Sequence, residues 1–329
     1  MHEPAFWWRA AGPMARMLAP VAAAYGGAAA WRMAQPGRGV GIPVICIGNL
    51  TLGGAGKTPT ALAVAALLRQ AGKQPFLLTR GYGGSLTGPS RVDPARHRAR
   101  DVGDEPLLLA RVAPTIVATD RLAGAELARQ QDADVVVMDD GFQNPTLAKD
   151  LSIVVVDGRR GIGNGKVFPA GPLRAPLAAQ LERAQTLLVI GPAAGATDII
   201  ARTRALPTFH GRLVPDPAAL AVLKDKKVLA FAGIGDPEKF FATLTEAGIT
   251  VAARHAFSDH HRYSPAEAGE LLTRAQRGGL LLVTTEKDVT RLAGEDELTE
   301  LAAQVRALPV TLVVDEAAAL RDLVLKTAG

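Results

Sequence analysis

The chain has 329 residues, more than one hydrophobic core commonly organises, and its 48% hydrophobic and 21% charged residues exclude a disordered or fibrous protein. Its net charge of +5 comes from dispersed basic residues, which fits anionic lipid or phosphate and argues against a nucleic-acid partner. The single cysteine, Cys46, excludes an intramolecular disulfide or a cysteine-based zinc site and favours a reducing compartment.

Residues 1–40 differ from the rest. Fifteen uncharged residues, Met17 to Trp31, lie between Arg16 and Arg32 and follow Phe6, Trp7 and Trp8. That run is short of the roughly 20 apolar residues a spanning helix needs. Arginine and tryptophan around a modest apolar stretch fit an interfacial anchor, the rings at headgroup depth and the guanidinium groups on anionic phosphates. A cleaved signal ending near Ala28-Ala29-Ala30 and a helix packed on the protein's own surface are the competing readings.

From Val44 onward, short apolar runs alternate with longer amphipathic ones, as in a mostly parallel α/β sheet. Strands are expected at Val44–Ile47, Phe76–Thr79, Thr115–Ala118, Val135–Met138, Ile153–Val156 and Leu187–Ile190, all apolar enough to be buried on both faces. Thr208 to Val214 reads as an extended connector. Lys227–Phe231, Thr250–Ala253, Leu281–Thr284 and Val310–Val314, with a helix over Ser264 to Arg277, read as a smaller α/β unit. The expected organisation is therefore an N-terminal membrane-associating segment, 1–40; a P-loop-like nucleotide-binding domain, 41–207; and a linker with a smaller α/β domain, 208–329.

Chemistry enters at the end of the first strand, in GlyAsnLeuThrLeuGlyGlyAlaGlyLysThrPro from Gly48, followed by a helix. A glycine-rich turn between strand and helix lets backbone N–H groups converge on phosphate oxygens at a positive helix end. Thr51, Leu52, Gly53, Gly54, Ala55 and Gly56 form the cradle, Lys57 reaches the β and γ phosphates of ATP, and Thr58 ligates Mg²⁺. Pro59 is harmless in a first turn, whose amides have no intrahelical partner. A P-loop of the usual kind begins with glycine where this one has Thr51. Asp139-Asp140 follow the apolar run 135–138, at the strand edge where a magnesium-binding acid belongs. Other positions are ambiguous on their own: Asp104-Glu105 in a loop, Arg80, Arg121 and Arg174, the pair His260-His261, and Glu286-Lys287-Asp288, which reads as a solvated charged loop.

Seven blocks in order resemble the tetraacyldisaccharide 4'-kinases, the lipid A 4'-kinases of Gram-negative bacteria. They are the loop from Gly48, ThrArgGlyTyrGly from Thr79, ValGlyAspGluPro from Val102, AspAspGlyPheGln from Asp139, GlyAsnGly at 163–165 with ProAlaGlyProLeuArg at 169–174, PheSerAspHis from Phe257, and ThrGluLysAsp from Thr285. The family's loop also begins with threonine. The resemblance implies a membrane-associating N-terminal helix, a P-loop domain and a smaller α/β domain. It implies transfer of the ATP γ-phosphoryl group to the 4'-hydroxyl of a lipid-linked glucosamine disaccharide at the cytoplasmic face of the inner membrane, the protein binding there peripherally. It makes Lys57 and Thr58 the phosphate and magnesium residues, Asp139 and Asp140 the acids beside the metal, and Asp104 with His260 the catalytic pair. Two positions depart from the family's pattern: Asn144 where a histidine is usual, and Ala175 where a glutamate is usual. The rival readings are a partition-type or nitrogenase-type ATPase, which would carry lysine where Leu52 stands, and a membrane-peripheral nucleotide switch without an acceptor.

Overall fold

The computed structural model describes residues 3–329. Eight strands follow one another through the first two-thirds of the chain: β1 Val44–Asn49, β2 Pro75–Thr79, β3 Ser90–Arg91, β4 Thr115–Val117, β5 Val135–Asp139, β6 Leu151–Asp157, β7 Thr186–Ile190 and β8 Thr208–Pro215. β9 Lys227–Ala232, β10 Thr250–Ala256, β11 Leu281–Thr285, β12 Arg306–Leu308 and β13 Val310–Val314 complete the set. They form two sheets, one of nine strands in the order β13-β8-β7-β6-β1-β5-β2-β4-β3 and one of four in the order β10-β9-β11-β12.

The central strands are apolar without interruption because both of their faces are covered. Val44 and Cys46 of β1, with Val136 and Met138 of β5, enter one cluster, and Ile45, Ile47, Val135 and Val137 enter the other. Helices Lys57–Gln70 and Ala317–Ala328 cover the second face, while Arg121–Gln130 and Thr197–Arg202 cover the first. Chain order reverses on either side of β1, so the crevice beyond its carboxyl end is the ligand position typical of a doubly wound sheet. The four-stranded sheet is parallel throughout and packed on both faces as well.

Two expectations fail at the C-terminal end. Thr208–Pro215 is a strand rather than a connector, parallel to β7 in the large sheet, and Val310–Val314 pairs antiparallel with it instead of joining the smaller sheet. Residues 208–329 are thus not one unit. The last helix returns with β13 and buries Leu320 and Val324 in the same cluster as Ile45 and Val64. Alternation such as that of β13, with Leu312 buried and Thr311 and Val313 exposed, fits the edge of either sheet, so the pattern alone does not choose a partner. The smaller sheet is closed instead by β12, which is too short to register as a periodic signal. Its helix Pro265–Gly278 matches the expected span and starts with a capping box between Ser264 and Glu267.

The N-terminal segment forms helices Pro13–Met17 and Ala19–Ala34, and no helix among the described residues is long and apolar enough to cross a membrane. Pro20 sits harmlessly in the first turn of the longer one. Ala22, Gly26 and Met33 face inward, Gly26 letting the helix approach Pro176 and Val167. Met17, Val21, Tyr25 and Trp31 along the same segment stay exposed.

Candidate active site

β1 delivers the chain into a turn that is held from the side. Thr51 bridges to Leu173, Leu52 N–H donates to the Pro172 carbonyl at 2.8 Å, and Asn49 Nδ2 donates to the Gly53 carbonyl at 3.2 Å. Gly53 and Gly56 have φ of +99° and +96°, a region costly for side-chain-bearing residues. A Cβ on Gly56 would also lie 2.7 Å from Ile190. The helix then begins at Lys57 with no side-chain cap, leaving its first-turn amides to an anion. The Glu3 carboxylate lies against Gly53, held by Trp8 Nε1 at 3.0 Å and Arg160 at 2.8 Å.

Two adjacent acids beside this loop have opposite surroundings. Asp139 ends β5 with both carboxylate oxygens buried and unpartnered among the described residues. Burial, reinforced by the charges of Glu105 and Asp140, pushes its pKa up to about 7. Asp140, at φ +54°, faces Lys57 at 3.7 Å and takes a bidentate bond from Arg174 at 2.8 and 3.3 Å. Burial would raise it too, but the Lys57 and Arg174 charges win and hold it well below the carboxylate range. Arg174 Nε also donates to the Thr51 carbonyl at 2.9 Å, so one guanidinium ties the acid to the phosphate loop. Arg121 is buried nearby and donates to the Ala118 carbonyl.

The remaining residues come from both units, the carboxyl-end loops of the smaller sheet meeting those of the large one. Asp104 opens the helix Asp104–Leu109 and is buried. Its Oδ1 is 3.3 Å from Nδ1 of His260, although the two lie in different units. His260 is held at φ +54° with its N–H donating to the Gly233 carbonyl at 3.1 Å, and its ring centroid is 4.8 Å from that of Tyr82. Non-glycine residues rarely occupy this region without a fixed surrounding structure. Burial disfavours charge on His260, but the bond to Asp104 outweighs it and raises its pKa. His261 is differently engaged, with Nε2 3.0 Å from Glu267 of the capping box. The same loops bring Gly235 to the phosphate loop, where a Cβ would stand 3.3 Å from Gly54 N.

Direct contacts join Lys57 and Arg174 to Asp140, Thr58 to Glu105, and Asp104 to His260. Glu105 and Lys287 were left without a role in the sequence, and Arg291 was not singled out. Glu105 accepts from Thr58 Oγ1 at 3.4 Å and pairs with Lys287, and Asp104 accepts from Arg291 Nε at 2.7 Å. Glu286-Lys287-Asp288 is therefore not a solvated loop but the start of helix Glu286–Leu292, and Asp288 is completely buried. The signal available in the sequence was the ThrGluLysAsp block followed three residues later by Arg291. Of the two departures, Asn144 caps its own turn, accepting from Thr146 N at 3.0 Å, and Ala175 is fully buried in the large core. Neither side chain points to a ligand role in this chain.

A divalent cation fits the residues present. Asp139 is a buried carboxylate with no hydrogen-bond partner among the described residues, Thr58 offers a hydroxyl beside the loop, and magnesium at nucleotide sites is commonly held by one or two carboxylates completed by phosphate oxygens. Strand, glycine turn and lysine-headed helix at the switch point of a parallel sheet, with a buried acid on the neighbouring strand, define a P-loop-type nucleotide-dependent phosphotransferase. Residues 14–328 match the family LpxK, tetraacyldisaccharide-1-P 4'-kinase, and the chain belongs to it. It is 55% identical over 331 aligned residues to a tetraacyldisaccharide 4'-kinase of Rhodopseudomonas palustris (strain BisA53), covering 100% of this chain and 96% of that one. A relative of the same name from Methylobacterium sp. (strain 4-46) is 56% identical, covering 98% and 96%. Among solved structures, LpxK from Aquifex aeolicus in complex with ATP superposes with a TM-score of 0.74 at 26% identity, covering 96% of this chain and 100% of that one.

Proposed function

We infer that this enzyme transfers the γ-phosphoryl group of ATP to the 4'-hydroxyl of a tetraacylated glucosamine disaccharide 1-phosphate in lipid A biosynthesis. The observation that carries the reading beyond nucleotide binding is the Asp104–His260 couple, set across the cleft from Lys57 by a second unit that an ATPase or a switch does not require. The loop amides and Lys57 hold the phosphates, and Arg174 keeps Asp140 ionised against Lys57. Thr58 and Asp139 would hold magnesium, with Asp140 already committed to its two cations. Magnesium, when bound, neutralises charge on the β and γ phosphates. The acceptor oxygen forms its bond to γ-phosphorus in line with the bond that breaks, ADP leaves, and the hydroxyl proton passes to the Asp104–His260 couple. Burial would raise the pKa of Asp104, but His260, Arg291 and Lys287 outweigh it, so it stays a carboxylate, able to accept a hydrogen bond, at neutral pH.

The acyl chains of such an acceptor stay in a bilayer, and the N-terminal helix supplies a means of reaching them. Met17 and Trp31 are each 67% exposed and Val21 57%. Arg9, Arg16 and Arg32 lie exposed along the same segment, and no carboxylate occurs between Pro4 and Leu52. An apolar stripe flanked by cations fits peripheral docking on an anionic leaflet, here the cytoplasmic face of the inner membrane, where ATP is available. Incubating the protein with ATP, Mg²⁺ and the disaccharide lipid should add one phosphate to the lipid by mass spectrometry, in proportion to ADP formed. ATP consumption without phosphorylated lipid would refute the reading.

A further inference from the structure

The Asp104–His260 couple accounts for one oxygen of Asp104. The other is engaged by a residue that touches neither the phosphate loop nor Asp139-Asp140. Arg291 Nε donates to Asp104 Oδ2 at 2.7 Å, and Nη2 lies 2.5 Å from the same oxygen. Its Nη1 donates to the Gly233 carbonyl at 2.6 Å and to Asp288 Oδ1 at 2.7 Å. Asp288 is fixed in turn: Gly233 N–H donates to Oδ1 at 3.0 Å, the Tyr263 hydroxyl to Oδ1 at 2.7 Å and Thr285 Oγ1 to Oδ2 at 2.6 Å. Arg291 is only 8% exposed, so the whole chain of bonds is shielded from water.

The arrangement is directional. Gly233, whose carbonyl receives Arg291, also receives the N–H of His260, so a single backbone oxygen gauges both partners of Asp104. One turn earlier on the same helix, Lys287 meets Glu105, so cations at i and i+4 face two consecutive acids of the other unit. A planar guanidinium with donors on two edges can bind a carboxylate and an anchor at once, which an ammonium does less well.

We propose that Arg291, oriented by Asp288 and Tyr263, is a positioning residue for Asp104: it grips Oδ2 and thereby turns Oδ1 toward His260 and the acceptor. This rests on the reading of Asp104 as part of the proton-accepting couple. Displacing a catalytic group by about 1 Å costs on the order of 10²-fold in rate. Arg291→Gln should therefore lower kcat about 10²-fold while the ATP dissociation constant stays within roughly twofold. Arg291→Lys should recover part of that loss, since it retains the charge and loses the fork. Tyr263→Phe, which removes one hydroxyl remote from the loop, should cost several-fold and serves if Arg291→Gln does not fold. The deciding measurement is single-turnover transfer in an Asp104→Asn background. There Arg291→Gln and Tyr263→Phe should add no further loss, because both act through Asp104. Losses that multiply in that background, or an equal loss of ATP affinity, would overturn the proposal and leave Arg291 a structural ion pair. Wild-type turnover by Asp104→Asn alone would instead overturn the base assignment on which it rests.

Discussion

The two halves of the active site are secured in different ways. Lys57, Thr58, Asp139, Asp140 and Arg174 all belong to the large sheet and its loops, over a core that includes Ile47 and Val137, and their contacts are internal to one packed unit. Asp104 and His260 meet only because two units are juxtaposed. Among the described residues, no apolar cluster contains side chains from both units. Charges and hydrogen bonds hold the seam instead: Lys239 to Asp157 at 3.1 Å, Arg160 to Asp236 at 3.0 Å, Arg100 to Glu295 at 3.0 Å and Arg262 to the Gly83 carbonyl at 2.8 Å. Partly exposed ion pairs fix orientation while adding little net stability each, typically below about 1 kcal/mol. Nucleotide binding thus rests on a rigid half-site, and chemistry rests on a seam whose geometry is specified more strongly than its strength.

That contrast can be broken at either half. Lys57→Ala strikes the rigid half and should have the largest effect, about a 10³-fold loss of transfer, because a preorganised donor at developing charge contributes on the order of 10²–10³-fold or more. Near-normal turnover with lipid acceptor present would refute the phosphate-loop assignment. Asp104→Asn strikes the seam and should lower kcat by about 10²-fold, the lower end of the usual range for a general base, with ATP affinity retained. Adding His260→Ala should cost scarcely more than the worse single change. Multiplicative losses would separate the two residues, and a His261→Ala variant losing activity alone would reassign the imidazole.

A smaller effect is expected away from both halves. Replacing Met17, Val21 and Trp31 together by serine should reduce pelleting with anionic liposomes and raise KM for the lipid roughly tenfold, since at an interface each side chain gains only a fraction of the about 1.5–3 kcal/mol of full burial. The fold should survive because all three are exposed. Unchanged pelleting would move the docking surface elsewhere.

The smallest effect is thermodynamic and reports on the seam alone. Burial disfavours the His260 cation, but the bond to Asp104 prevails and raises its folded pKa above the ordinary 6.5. The native state therefore binds the proton more tightly, and its stabilisation is complete below about pH 6.5 and lost as pH rises through the folded value. His260→Gln should flatten that part of the melting temperature's fall with pH by a few degrees or less. An identical slope in both proteins would mean that the pair does not favour the imidazolium.

Much of the rigid half was legible in the sequence because its chemistry needs neighbours along the chain. Strand, glycine turn, Lys57 and Thr58 are contiguous, and Asp139-Asp140 stand directly after an apolar run. What separates Asp139 from Asp140 was not legible, because the difference lies in Arg174, 34 positions away from Asp140 in the chain. The seam was less legible still. Residues 104 and 260 were joined through family resemblance, Glu105 was ambiguous, Lys287 read as part of a solvated loop, and Arg291 was not singled out.

The sequence by itself determined the alternation of strands and helices, the phosphate loop, the helix after Ser264 and the short apolar N-terminal run flanked by arginines. Each of these is written in local periodicity, turn chemistry or a contiguous motif. Tertiary structure alone decided that β8 and β13 complete the large sheet and that the last helix packs beside Lys57–Gln70. It also decided that one acid beside the loop stays unpaired while its neighbour holds two cations, and that a buried arginine stands behind Asp104. Strand partnership and charge pairing depend on which surfaces meet after the chain has folded back over hundreds of residues, and a local pattern carries no record of that choice.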